Sequence, residues 1–122
     1  MDKNKLKEIK RKRRHLRVKK KIYGTGERPR LYVHRSHKNM YAQIIDDTKG
    51  RVLFSLSTLN KEIRERIVFG GNIKSAEILG EILAQKLKER SIDKVVFDRG
   101  SYPYTGRIKA FAEGARKGGL IF

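Results

Sequence analysis

The residues best suited to chemistry lie in the stretch DRGSYPYTGRIK, from Asp98 to Lys109. Its tyrosines offer flat rings, its cations can bind phosphate, and its glycines let main-chain N–H groups come close to a ligand. Unpaired RNA bases are recognised by stacking on Tyr and Arg planes. The alternative, in which the tyrosines simply pack over a sheet edge, stays open. The candidate contacts are Arg99, Gly100, Tyr102, Tyr104, Gly106, Arg107 and Lys109.

A second candidate is a basic arm near the N-terminus. The stretch RKRRHLRVKKK, from Arg11 to Lys21, carries a fixed positive charge on eight of its eleven residues and has no broad apolar stripe. A block of like charge repels itself when free and can order on a phosphate backbone. The arm therefore predicts a polyanionic partner rather than a merely solubilising tail. Its candidate contacts are Arg11, Lys12, Arg13, Arg14, Arg17, Lys19, Lys20 and Lys21.

A third cluster of cations and tyrosines lies where the first predicted strand begins and turns. Within that strand Arg30, Tyr32 and His34 share the face opposite Leu31 and Val33, so an uncovered face or edge there could meet nucleic acid. Each residue alone is explained as well by solvated surface, but their joint placement predicts a patch. Its members are Arg28, Arg30, Tyr32, Arg35, Ser36, Lys38 and Tyr41.

Catalysis finds little support. The three histidines, His15, His34 and His37, do not form a metal set without Cys or a His/acid pair at helical spacing. Three carboxylates at strand ends, Asp46, Asp47 and Asp98, could together hold Mg²⁺ for phosphodiester cleavage, but Asp in such places more often begins turns or caps helices. We therefore predict no catalytic residue, metal, cofactor or small-molecule substrate. The alternatives are a Mg²⁺-dependent nuclease that uses these three carboxylates and a nonspecific basic nucleic-acid binder.

The chain is basic throughout. Of its formal net charge of +18, residues 1–28 carry +10 and the remaining residues carry +8, so the folded part should also present positive surface to a polyanion. We predict a basic extension over residues 1–28 and one domain over residues 29–122. Cysteine is absent and no apolar run approaches membrane-spanning length. These features predict an intracellular protein without a membrane partner.

Hydrophobic periodicity predicts the elements that position these residues. After a flexible joint at Gly24 to Pro29, three alternating segments with short turns predict an antiparallel meander. In the third segment Val52, Phe54 and Leu56 are predicted on one side of the strand. A long helix capped by Asn72 follows, then a buried strand parallel to a neighbour, and a final helix ended by Gly118 and Gly119. The predicted fold is a single α/β domain of order βββαβα, a mixed sheet packed with helices. Its segments are Arg30–Arg35, Met40–Asp46, Arg51–Ser57, Ile73 to about Arg90, Val95–Phe97 and about Gly106 to Lys117.

Two long segments carry a family resemblance. RPRLYVHRSHKNMYAQIIDD, from Arg28 to Asp47, and FDRGSYPYTGRIKAFAEGARKGGLIF, from Phe97 to Phe122, follow a basic arm that ends in HLRVKKKIYGT. Together they closely resemble the family of bacterial large-subunit ribosomal protein eighteen, which binds 5S rRNA. The second segment is the more specific, because DRG, Tyr-x-Tyr, GR and the glycine-terminated helix occur in one order and spacing.

The resemblance implies an α/β domain that, with other 5S-associated proteins, joins 5S rRNA to 23S rRNA in the central protuberance of the cytoplasmic ribosome. The arm is similar to the RNA-embedded extension of the family. Two residues depart from the family pattern: Thr105 stands where His is usual, and Lys117 where Glu is usual. The first removes any contact made by an imidazole, and the second adds positive charge. Carried over by position, the rRNA contacts are Arg30, Arg35, Ser36, Lys38, Tyr41, Arg99, Gly100, Tyr102, Tyr104, Gly106, Arg107 and Lys109.

Overall fold

The computed structural model describes residue 4, residues 7–11 and residues 22–122. Residues 7–11 are helical. The domain that follows contains strands β1 (Arg30–Arg35), β2 (Met40–Asp46), β3 (Arg51–Ser57) and β4 (Val96–Asp98), and helices α1 (Lys61–Arg64), α2 (Ile73–Glu89) and α3 (Gly106–Lys117). The predicted α/β fold is confirmed, with α1 a single turn between the meander and the long helix.

The sheet has the strand order β3-β2-β1-β4. Strands β1, β2 and β3 form the expected antiparallel meander, and β4 pairs in parallel with β1 so that Tyr32 lies opposite Asp98. The fourth strand begins and ends one residue later than predicted. Val95, which is fully buried, precedes it. Parallel pairing puts the C-terminal ends of β1 and β4 at the same edge of the sheet, which is where the candidate site lies.

One strand-face prediction is wrong. Val52 was expected on the apolar side of β3 with Phe54 and Leu56, yet Val52 is 50% exposed. The register explains this, because Ile44 pairs with Phe54 whereas Ile45 pairs with Val52, which leaves one extra residue in β3. Such a bulge moves every residue beyond it to the other face of the strand.

The two long helices and one face of the sheet share the core. Leu31 and Val33 of β1 are fully buried, as are Leu83 of α2 and Phe111 of α3. A burial of this kind contributes about 1.5 to 3 kcal/mol for each large aliphatic or aromatic side chain. The opposite face of the sheet is more open and bears His34, Gln43 and Ser55 as exposed side chains.

Helices α2 and α3 approach closely because each places a glycine at their contact. A Cβ on Gly80 would clash with the carbonyl oxygen of Phe111, and a Cβ on Gly114 would clash with that of Glu77. The contact fixes α3, and therefore the position of Arg107 in its first turn, relative to the rest of the domain.

Both predicted helix ends are confirmed. The side chain of Asn72 accepts a hydrogen bond from the main-chain N–H of Ser75 at 2.8 Å, the N-cap geometry. At the end of α3, Gly119 has a φ of 105°, and the N–H of Leu120 donates to the carbonyl of Ala115 at 3.1 Å. This left-handed cap turns Leu120 into the core.

Candidate nucleic-acid interface

The site forms where β1 extends past its parallel partner. Strand β4 ends at Asp98 opposite Tyr32, so the last residues of β1 have no β4 partner, and the loop after β4 occupies that place. Tyr102 of this loop contacts Arg35 at the end of β1. Two clusters that are far apart in sequence, the start of the sheet and the loop after β4, therefore form one surface.

The hydroxyl of Tyr102 joins the two segments. It accepts a hydrogen bond from the main-chain N–H of Arg35 at 3.4 Å and donates to the main-chain oxygen of Arg35 at 3.2 Å. It also lies 3.0 Å from Nδ1 of His34. The guanidinium of Arg35 lies over the ring of the same tyrosine, 5.0 Å from its centroid, a cation–π contact. One side chain thus replaces the missing strand partner and holds the Arg35 guanidinium.

An open cleft of about 280 Å³ lies beside this contact. Arg35, Ser36 and His37 line it from the turn after β1, Tyr102 lines it from the loop after β4, and Arg107 enters from the first turn of α3. No carboxylate from the described part of the chain lines it. Arg35 Nε and Arg107 Nη1 are buried atoms without a hydrogen-bond partner among the residues that the structure describes.

The positive charges of the Arg35 and Arg107 guanidinium groups repel each other. Burial lowers the pKa of Arg107 below the ordinary arginine value, and the nearby charge of Arg35 lowers it further, while Tyr102 acts in the opposite direction. Like charges in a partly dehydrated site raise each other's free energy. The cleft is therefore a place where an anion would be stabilised by both arginines.

Arg30 is a correction to the predicted site. It was expected on an open face as an rRNA contact, but it is 8% exposed and its guanidinium is bound internally. Arg30 Nε and Nη2 donate to Asp47 at 2.9 and 3.1 Å, and Nη1 donates to Asp98 at 2.8 Å. The hydrogen bond with Asp47 contributes most to raising the pKa of Arg30, against the opposing effect of burial.

The three strand-end carboxylates that a nuclease would need for Mg²⁺ are engaged in contacts within the domain. Asp47 and Asp98 hold Arg30, while Asp46 accepts hydrogen bonds from the side chain and main chain of Thr48. Within residues 4, 7–11 and 22–122 there is no group of three or more His, Cys, Asp or Glu side chains that could hold a metal ion.

The main chains of two glycines are also committed to the cluster of Arg30, Asp47 and Asp98. The N–H of Gly100 donates to Asp98 Oδ1 at 2.8 Å, and Gly100 is buried with a φ of 61°. Gly100 shapes the loop, and its N–H is not free for a phosphate. Gly24 donates to Asp47 at 2.8 Å and accepts from its main-chain N–H at 3.0 Å, so this end of the predicted flexible joint is docked onto the domain.

The other predicted contacts differ in exposure. Tyr104 is half-buried against the core, and its hydroxyl accepts a hydrogen bond from Arg116 Nη1 at 3.2 Å. Tyr41 is half-buried beside His34, with 5.7 Å between ring centroids. Exposed positions are held by Arg11, Arg28, Ser36, Lys38, Arg99, Gly106 and Lys109. The remaining arm contacts lie outside the described residues: Lys12, Arg13, Arg14, Arg17, Lys19, Lys20 and Lys21.

Two residues of the site were not predicted from the sequence. His37 lines the cleft, and its place in the turn between Ser36 and Lys38 was the available signal. Arg116 reaches Tyr104 from the far end of α3, and no local pattern links the two residues. As for membranes, the part of the chain that the structure describes contains no helix long and apolar enough to cross one.

Comparison with known proteins agrees with these observations. Residues 5–122 match the family described as ribosomal L18 of archaea, bacteria, mitochondria and chloroplast. The large ribosomal subunit protein uL18 of Thermotoga petrophila is 52% identical over 122 residues, covering 100% of both chains.

Two further relatives with the same name agree. That of Thermotoga neapolitana is 56% identical over 110 residues, 90% of each chain, and that of Dictyoglomus thermophilum is 54% identical over 112 residues, 92% of each chain. The prediction that the chain is not an enzyme is confirmed by this membership. The chain belongs to the ribosomal L18 family, structural proteins of the large ribosomal subunit.

Proposed function

We propose that the chain binds 5S rRNA and, with other 5S-associated proteins, helps attach it to 23S rRNA in the central protuberance. In this proposal residues 1–28 form a basic extension embedded in rRNA, and residues 29–122 form the domain that recognises it. The observation that carries the proposal is the convergence of Arg35, Tyr102 and Arg107 on one cleft, which no carboxylate of the described residues lines. Such a surface suits a phosphate backbone, and membership of a ribosomal protein family supports rRNA as the partner.

The exposed cations around the cleft extend the proposed surface. Ser36 and Lys38 lie in the turn after β1, Arg99 begins the loop after β4, and Lys109 lies on α3. Phosphate contacts of this kind position a protein on RNA, whereas contacts with unpaired bases supply specificity. Tyr104 is the candidate for base stacking, because its ring is partly accessible and its hydroxyl is held by Arg116.

The first test is binding of the full chain to 5S rRNA over a range of salt concentrations, with a DNA duplex of similar length as competitor. We expect preference for 5S rRNA, and a log–log salt slope of magnitude about 0.7 to 0.9 for each phosphate contacted. Equal affinity for the duplex at moderate salt would instead indicate a nonspecific basic nucleic-acid binder. A nuclease footprint of the protein on 5S rRNA would then locate the contacted nucleotides.

The second test concerns the tyrosine. Replacing Tyr104 with Ala should weaken 5S binding by about 1 to 3 kcal/mol, the usual contribution of one base stacked on an aromatic ring. Tyr104→Phe is the matched control, because it keeps the ring and removes only the hydroxyl that Arg116 contacts. Unchanged affinity in Tyr104→Ala, with the fold intact by circular dichroism, would remove this ring from the interface.

A further inference from the structure

We propose that the cleft between Arg35 and Arg107 is a binding site for one phosphate group, and that Tyr102 positions Arg35 there rather than stacking on a base. The identification of the phosphate as a backbone phosphodiester of rRNA rests on the proposed function. The site itself rests on the arrangement of the side chains.

The first argument is the pair of unsatisfied donors. Arg35 Nε and Arg107 Nη1 are each removed from solvent, and neither has a hydrogen-bond partner in the described chain. A buried N–H without a partner costs free energy, and more so when the group is charged. Both donors belong to residues that line the same cleft, so one ligand with several acceptor oxygens can satisfy both.

The second argument is charge. The charge of Arg35 lies close enough to Arg107 to lower the pKa of Arg107, and among the described residues no acidic side chain lines the cleft to offset the two arginines. Elsewhere in this domain a buried guanidinium is neutralised, since Arg30 binds both Asp47 and Asp98. The contrast indicates that the counterion of the Arg35 and Arg107 pair is supplied from outside the chain.

The third argument is the chemistry of the lining. Guanidinium groups bind phosphate through paired N–H donors, and His37 adds a ring nitrogen to the lining, while the Ser36 hydroxyl is bonded to the main chain of Asn39. The cleft is open and carries two guanidinium groups, which suits an anionic oxygen ligand that stays attached to a larger molecule. It lies beside the exposed turn after β1.

The fourth argument separates the roles of the two tyrosines. One face of the Tyr102 ring lies under the guanidinium of Arg35, and its hydroxyl is occupied by the main chain of Arg35 and by His34. A base that stacked on this face would have to displace Arg35. Tyr102 therefore holds the Arg35 side chain towards the cleft and acts as a positioning residue, unlike Tyr104.

The site is tested on the full chain by following arginine side-chain N–H signals by NMR during titration with inorganic phosphate. We expect saturable shifts of Arg35 Nε–H and of the Arg107 side chain, with none at the exposed Arg99. Arg35→Gln should weaken phosphate binding by about 10- to 150-fold, the range for a hydrogen bond to a charged group. Shifts that grow linearly at all arginines alike would overturn the site, because they would report nonspecific screening.

Tyr102→Phe tests the positioning role in the same titration. The substitution keeps the ring and its contact with Arg35, and removes the hydroxyl that fixes the main chain of Arg35. We expect the Arg35 Nε–H signal to saturate at a higher phosphate concentration than in the original protein. A role in base stacking predicts no such change, because a phenylalanine ring stacks on a base as well as a tyrosine ring does. An unchanged phosphate titration in a folded Tyr102→Phe protein would overturn this role.

The ribosomal source of the phosphate is tested by the salt dependence of 5S binding. Arg35→Gln and Arg107→Gln should each reduce the magnitude of the log–log slope by about 0.7 to 0.9, and the double variant by no more than either alone, because both arginines hold one phosphate. Arg99→Gln combined with Arg35→Gln is the matched control. Its two reductions of the slope should add, because Arg99 lies outside the cleft and would contact a different phosphate.

The two proposals fail in different ways. A wild-type protein that prefers 5S rRNA while both single variants keep its full slope would overturn the phosphate site and leave the proposed function standing. A protein without preference for 5S rRNA that still shows saturable phosphate shifts at Arg35 and Arg107 would overturn the proposed function and support the site.

Discussion

Replacing Arg30 with Met should destabilise the domain, because it leaves a carboxylate buried without its cation. Asp98 is fully buried and lies 2.8 Å from Arg30 Nη1, and Asp47 is partly exposed. Removing one partner of a buried ion pair costs about 3 to 5 kcal/mol. We expect a loss of about 3 kcal/mol, the lower end of that range. Asp98 keeps its hydrogen bond from Gly100, and Asp47 can be hydrated.

The loss should come from the carboxylate left unpaired, which distinguishes it from a packing defect. In Arg30→Met the buried Asp98 side chain has no cation beside it, and an unpaired buried charge is costly. Arg30→Met combined with Asp98→Asn removes that charge, so the double variant should be more stable than Arg30→Met alone.

The assay is urea unfolding followed by circular dichroism at neutral pH, with the free energy of unfolding compared between variants. Arg99→Met is the control, because it removes an exposed arginine and should change the free energy of unfolding little. A loss below about 1 kcal/mol in Arg30→Met, or a double variant no more stable than Arg30→Met, would refute the assignment of Arg30 as the buried counterion.

Three further predictions concern a helix contact, a turn carboxylate and a helix cap. Gly114→Ala should lower the free energy of unfolding by about 1 to 3 kcal/mol, because its Cβ meets the facing helix. At the exposed Gln85, which serves as the control, the Ala variant should be more stable than the Gly variant by about 1 kcal/mol. A Gly114→Ala protein more stable than the original would contradict the close helix contact. The hydrogen bond from the Thr48 side chain lowers the pKa of Asp46, so its contribution to stability is present above the ordinary carboxyl pKa and is lost as pH falls through the folded-state value. In Asp46→Asn the denaturation midpoint should therefore fall less steeply with decreasing pH in the acid range. An unchanged acid dependence would contradict this role of Asp46. Asn72→Ala should lower the free energy of unfolding by about 1 kcal/mol in a urea titration, whereas Asn72→Ser should recover most of it.

Local sequence patterns predicted most of the fold because each signal was short in range. The alternation of Leu31 and Val33 placed β1, the polar side chain of Asn72 marked the start of α2, and Gly119 adopts the left-handed conformation that ends α3. The bulge in β3 was not predicted. One extra residue does not disturb a local alternation of apolar side chains, and only the pairing of Val52 with Ile45 reveals it.

The site was predicted in part, since its residues were named but their arrangement was not. Alternation placed Arg30 correctly on the face opposite Leu31, yet the side chain turns inward because Asp47 and Asp98 lie beside it. Those partners are 17 and 68 residues away in sequence, a separation that no pattern spans. The sequence predicted a parallel neighbour for β4 without identifying β1, so the meeting of Arg35 with Tyr102 became visible only in the folded chain.

The pairing of β1 with β4 has a consequence for synthesis of the protein. Arg35 and Tyr102 are 67 residues apart in sequence, and Arg107 follows later still. Because a nascent chain emerges from its N-terminus, the first half of this surface is complete long before the second exists. The last contacts to form are those of greatest sequence separation, which fold slowly. A growing or prematurely terminated chain therefore carries the basic arm without the cleft.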